Sequence, residues 1–154
     1  MRSAYHFIDL GVVPRPGITQ SAFDDALGDE EFVVQFPPAH FPSRYVFFTD
    51  PTHGTTSLAI TRVASDTGMF RDVTVDCLGV IGGWAPVGTD GRFEVAAVDL
   101  GRAGVGVGSC VPGRHVAESE LAFGVVVWGI DLYASYAYLA GGDARSLTQL
   151  PPLI

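Results

Sequence analysis

Residues Phe123–Gly141 read FGVVVWGIDLYASYAYLAG, and the fold class turns on how this stretch is taken. Glycine, valine and tryptophan run from Gly124 to Gly129 without a polar break, and beyond Asp131 tyrosine alternates with serine and alanine. β-branched and aromatic residues in this pattern predict a β-hairpin. The first arm, Phe123 to Ile130, is apolar on both faces of a two-residue period, which predicts a strand inside a sheet covered on both sides. The second arm, Tyr133 to Leu139, is half-polar and belongs nearer an edge. Asp131 and Leu132 are expected to form the connection; neither favours left-handed backbone angles, so a wider loop is the alternative.

Working outward, strand signals recur at Glu31–Phe36, Arg44–Thr49, Ser57–Val63, Asp72–Leu78 and Arg92–Leu100, separated by Pro, Gly and Asp turns. In the first of these, Phe32, Val34 and Phe36 share one face, and Pro37 and Pro38 stop the pairing. His115–Ser119 reads as a short bridge into the hairpin. No stretch sustains a 3.6-residue period, so the expected fold is all-β, a β-sandwich of jelly-roll or immunoglobulin-like type with about 8–10 strands. A chain of 154 residues fits one domain, 1–154, with residues 1–29 as an irregular lead-in and 146–154 as a tail. Within the lead-in, Ser21 can cap a single helical turn to Leu27.

The formal charge is −8, from 9 basic and 17 acidic side chains, and no basic cluster overrides it. Such a surface repels a phosphate backbone, which argues against a nucleic-acid partner. The longest apolar run, Leu121 to Ile130, is too short for a membrane-spanning helix. The start, RSAYHFIDLGVVPRPG after Met1, lacks the apolar core of a secretory leader, which leaves a mature chain, an excised domain or a cytoplasmic protein.

Cys77 and Cys110 both lie in strand-like segments. Bridged, they would close a loop of about 34 residues and contribute about 3.5 to 4 kcal/mol on the chain-entropy argument. Two buried free thiols are the alternative. Cys110, His115 and Asp131 are also the residue types of a thiol nucleophile, its base and its orienter, a role that a Cys77–Cys110 bond would forbid. Gly104, Gly106 and Gly108 lack the remainder of a phosphate-binding loop and fit a hairpin or close sheet packing better. The four histidines show no paired ligand spacing, so no metal or other cofactor is implied. Asp50, Asp66 and Asp72 could offer oxygens to calcium, although turn aspartates more often cap local amides. Aromatic residues carry the remaining signal: Tyr136 and Tyr138 share a face, Tyr133 takes the other, and Trp84 follows a Gly-Gly turn. Rigid aromatics at a surface suit protein or sugar contact; covering the sheet is the competing account.

Several segments taken in order resemble a known module. They are Val75-Asp76-Cys77-Leu78-Gly79, Gly83-Trp84-Ala85-Pro86-Val87-Gly88, Phe93-Glu94, Val98-Asp99-Leu100, Cys110, Gly113-Arg114-His115, Ser119, and, within the hairpin, Phe123-Gly124-Val125, Val127-Trp128-Gly129, Ser135-Tyr136-Ala137-Tyr138 and Ala140-Gly141, with Ile130 and Leu139 departing from the pattern. From about Phe47 to Gly141 the chain resembles the IgGFc-binding domain family, in its bacterial secreted form near the carboxyl end. That resemblance implies an extracellular β-rich module, a Cys77–Cys110 disulfide, and a binding or adhesive role without catalysis. The expected reading is a secreted or cell-surface recognition module for a protein or glycoprotein ligand, with Trp84, Asp131, Tyr133, Tyr136 and Tyr138 as contact residues. Two alternatives stand beside it: a structural subunit of a fibre, shell or surface layer that self-associates through strand edges, and a carbohydrate-binding module.

Overall fold

A computed structural model describes residues 27–143 of the chain. Residues 1–26 of the lead-in, with the helical turn after Ser21, and the tail from Ser146 lie outside these residues. Ten strands follow one another: β1 (Arg44–Thr49), β2 (Thr55–Val63), β3 (Val73–Val75), β4 (Gly79–Val80), β5 (Ala85–Val87), β6 (Phe93–Arg102), β7 (Val105–Gly106), β8 (Gly113–Ser119), β9 (Phe123–Asp131) and β10 (Ala134–Leu139). Among the described residues a 3-10 turn, Pro38–His40, precedes them. All pairings are antiparallel, in one sheet ordered β1-β8-β3-β4 and another ordered β10-β9-β2-β6-β5, with β7 also on β6. This is a β-sandwich. Among the described residues no helix is long and apolar enough to cross a membrane.

Alternation along each strand decides what the two sheets enclose. Leu58 and Ile60 of β2, Ala96 and Leu100 of β6, and Phe123, Val125 and Val127 of β9 pack against Tyr45 and Phe47 of β1, Val73 and Val75 of β3, and Ala117 of β8. Each large side chain buried this way contributes roughly 1.5–3 kcal/mol. β9 lies between β10 and β2 and is buried on both faces from Phe123 to Gly129, as its unbroken apolar run predicts. β10 is an edge strand.

Three expectations differ from the structure. His115 lies within a full strand, β8, which is paired on both sides by β1 and β3. The hairpin loop is Leu132 and Tyr133, because Asp131 still pairs with Ala134; Tyr133 takes the left-handed conformation, at φ 54°. Glu31–Phe36 forms no strand, and its alternation is reversed: Phe32, Val34 and Phe36 are exposed while Val33 and Gln35 are partly covered. β1 and β9 already fill the interior, so this segment runs outside it. The Asp29 backbone N–H donates to Ser135 Oγ of β10 at 3.0 Å, and Ser135 Oγ–H bonds the Asp29 carbonyl and the Glu31 carboxylate.

Cys77 and Cys110 are joined by a disulfide. The bond ties the turn after β3 to the crossover from β7 to β8, where Ser109 also donates through its N–H and hydroxyl to the Cys77 carbonyl. The glycine run beside it makes the β6–β7 hairpin, and a side chain at Gly106 would collide with the Cys110 carbonyl. Close packing, rather than phosphate binding, accounts for that glycine.

Candidate functional site

β10 and β1 are edge strands of opposite sheets, and the two tyrosines of β10 join them. Tyr136 and Tyr138 pair across to Gly129 and Val127 and so point inward, toward the mouth of the sandwich. The Phe48 backbone N–H donates to Tyr138 Oη at 3.0 Å, and the same hydroxyl donates to the Phe48 carbonyl. The Asp50 N–H donates to Tyr136 Oη at 3.1 Å. Backbone groups along the outer edge of β1 are thereby satisfied by side chains instead of by another strand. The two rings lie stacked, with centroids 6.2 Å apart. Burial raises the Tyr138 phenol above its ordinary range, with Tyr136 adding to the effect and the Phe48 backbone hydrogen bond opposing it.

An open cleft of about 650 Å³ lies over these rings and is lined also by Phe48, Asp50, Pro51 and His53. Phe48 projects outward from β1 and is 61% exposed. His53 meets Tyr136 edge to face at 4.8 Å. The turn below is held by carboxylates. Asp50 Oδ1 accepts from the Thr52 N–H and hydroxyl, both at 2.7 Å, which is an Asx-turn. These bonds hold the Asp50 carboxyl below its usual range, with a smaller contribution from His53. Asp131 accepts from its neighbour's amide, Leu132 N–H, through Oδ1 and from Gly54 N–H through Oδ2, each at 2.7 Å. Its carboxyl is lowered too, first by Leu132, then by Gly54 and, less, by His53. Asp131 thus staples the β9–β10 loop to the β1–β2 turn.

Asp131, Tyr136 and Tyr138 therefore meet at one end of the sandwich, with Tyr133 exposed on the adjoining loop. Trp84 does not join them. It precedes β5, at the sheet edge farthest from β10, where its Nε1–H bonds the Ile81 carbonyl and one ring face is covered by the Arg62 guanidinium at 4.1 Å. Arg62 also lies over Phe70 and is paired with Glu94, closing that end of the core. The thiol, histidine and aspartate that suggested a nucleophile are separately engaged: Cys110 in the disulfide, His115 with Asp76 at 3.2 Å, and Asp131 with backbone amides. Asp76, Cys77 and His115 do come within 4.8 Å of one another, but the cysteine's sulfur is already bonded to Cys110.

Reading the sequence alone missed Phe48, Asp50 as a wall of this cleft, and His53. The available signal was the run Thr49-Asp50-Pro51-Thr52-His53-Gly54, whose Asp-Pro start and terminal glycine mark an ordered turn between two strands.

The family described as IgGFc binding protein matches residues 17–129, which spans most of the two-sheet core and both cysteines. The chain belongs to this IgGFc-binding family. Within it, the match starts upstream of the region of resemblance and ends at Gly129, before β10. No curated protein and no solved structure matches the chain significantly. The IgGFc-binding match thus includes the β1–β2 wall of the cleft but not the two tyrosines of β10.

Proposed function

We propose that the protein is an extracellular, non-catalytic recognition module for a protein or glycoprotein ligand. Its contact face is the end of the sandwich where the β1–β2 turn meets the β9–β10 loop. The family supports a binding role, and the disulfide fits an oxidising compartment. One observation carries the choice of face: Phe48 stands exposed beside a cleft floored by tyrosines whose hydroxyls are already bonded to the β1 edge. A bare aromatic beside a pre-ordered floor suits shape-complementary burial with a polar rim. Phe48, Tyr133, Tyr136 and Tyr138 supply the apolar contact, and Asp131 keeps the two loops together. Trp84 lies outside this face.

Capture of immunoglobulin G and a panel of mucosal glycoproteins on immobilised protein tests the reading. Phe48→Ser and Tyr133→Asn alter exposed side chains, and Asn tolerates the positive φ at 133. Each is expected to weaken capture about tenfold, the scale of an interface hot spot. Undiminished capture by both variants rules out this face, and no capture by the parent rules out recognition of these ligands.

A further inference from the structure

We propose that the cleft between Phe48 and Tyr136 receives a cationic side chain, arginine foremost, from an apolar segment of the protein ligand. This inference rests on the recognition reading above and specifies the chemistry of its site. Apolar surface dominates the floor, since Phe48, Pro51, Tyr136 and Tyr138 line it, and the Tyr138 hydroxyl is consumed as both donor and acceptor. Arginine has five donors and a planar, weakly hydrated head that stacks on aromatic faces.

Charge favours the same occupant. The Asp50 carboxylate stands half-exposed on the cleft wall, its Oδ1 occupied by Thr52 and its Oδ2 3.9 Å from His53 Nδ1. Asp131 adds a second carboxylate behind Gly54. Among the described residues neither lysine nor arginine lines the cleft, and the chain as a whole carries −8. An anionic ligand would meet repulsion from the Asp50 carboxylate, and the Tyr138 hydroxyl has no proton left to donate to it. A neutral apolar side chain could use the rings but would offer no donor to Asp50 Oδ2, which accepts no hydrogen bond from Thr52. A guanidinium uses both, stacking on a ring while bonding the open carboxylate oxygen. Arg62 already shows this arrangement at the other end of the molecule, between Trp84, Phe70 and Glu94.

The test is an NMR titration of the intact protein with acetyl-arginine methylamide, beside the neutral isostere acetyl-citrulline methylamide. Saturable shifts are expected at the Gly54 amide and at the His53 and Tyr136 rings with the arginine compound. Citrulline should bind about fivefold more weakly, the scale of a cation–π contact with an exposed ion pair. Asp50→Asn keeps an acceptor for Thr52 while removing the charge, and should produce a similar loss with an otherwise unchanged spectrum. Equal binding of the two compounds, shifts scattered away from the cleft, or no saturable shift overturns the cation site. The two readings fail separately: ligand capture that falls with Phe48→Ser but is indifferent to Asp50→Asn keeps the recognition face and discards its preference for a cation.

Discussion

Tyr138 shows how much can depend on one oxygen atom. Its hydroxyl serves the N–H and the carbonyl of Phe48 together, so Tyr138→Phe leaves two backbone groups at a partly buried edge without partners. Losing such partners costs about 1–3 kcal/mol, whereas Tyr136→Phe, which strands only the Asp50 amide, should cost about 1 kcal/mol; urea midpoints rank the two variants. An equal cost for both would mean that the edge finds water instead. The same hydroxyl makes stability depend on alkaline pH. Burial raises the phenols of Tyr138 and of Tyr45, whose O–H donates to the Phe123 carbonyl at 2.5 Å. Unfolded tyrosine loses its proton near pH 10, while these two hold theirs in the native state, so the unfolded chain binds fewer protons above that point. Their contribution is present below about pH 10 and is lost as pH rises beyond it. Unfolding midpoints followed from pH 8 to 11 should fall, and less steeply in Tyr45→Phe and Tyr138→Phe; parallel curves for parent and variants would contradict this.

At the scale of elements, the β9–β10 hairpin works because Gly129 is bare. It pairs directly with Tyr136, whose ring folds over it, and a Cβ at 129 would lie inside that ring's contact distance. Gly129→Ala should therefore displace the ring from His53 and from the Asp50 amide, at a cost of about 1–3 kcal/mol for overpacking. Hydrogen exchange at the Asp50 amide is the sharp readout, because faster exchange there, with β2 and β6 unchanged, separates a lost clip from general loosening. Unchanged exchange at Asp50 would show that the ring can move without releasing it. Much of this element was legible beforehand: the apolar run predicted a strand buried on both faces, and the half-polar arm predicted an edge. What alternation does not carry is the partner. Tyr138 bonds a residue 90 positions earlier, across two sheets, and no local pattern encodes that distance. For the same reason Phe32, Val34 and Phe36 were expected on a strand face, when the interior they would have joined is filled by β1 and β9.

For the whole molecule, the sheets are unequal partners, and the disulfide compensates for the weaker one. β2, β6 and β9 have nine or ten residues each, while β3 has three and β4 two, so the far side of the smaller sheet has little ladder to hold it. Cys77 lies two residues past the end of β3, and Cys110 sits on the crossover that enters this sheet from β7. Sequence spacing left the bridge and two free thiols equally open, because a separation of 33 positions says nothing about whether two strand ends meet. Replacing both cysteines by alanine should lower stability by about 3.5 to 4 kcal/mol, as expected for releasing a loop of this length. In a domain of this size that corresponds to a fall in Tm of about 10 °C. The loss should also be local in origin: exchange protection at Val73, Val75 and Ile81 should drop first, while β2 and β9, each paired on both sides, keep theirs. Cys110 is buried, so a mild reductant should leave the folded protein intact, and the unfolded, unreduced chain should show no reactive thiol. A melting temperature unaffected by the double substitution would mean that packing of Val73, Val75 and Ala117 against the larger sheet is sufficient without the crosslink.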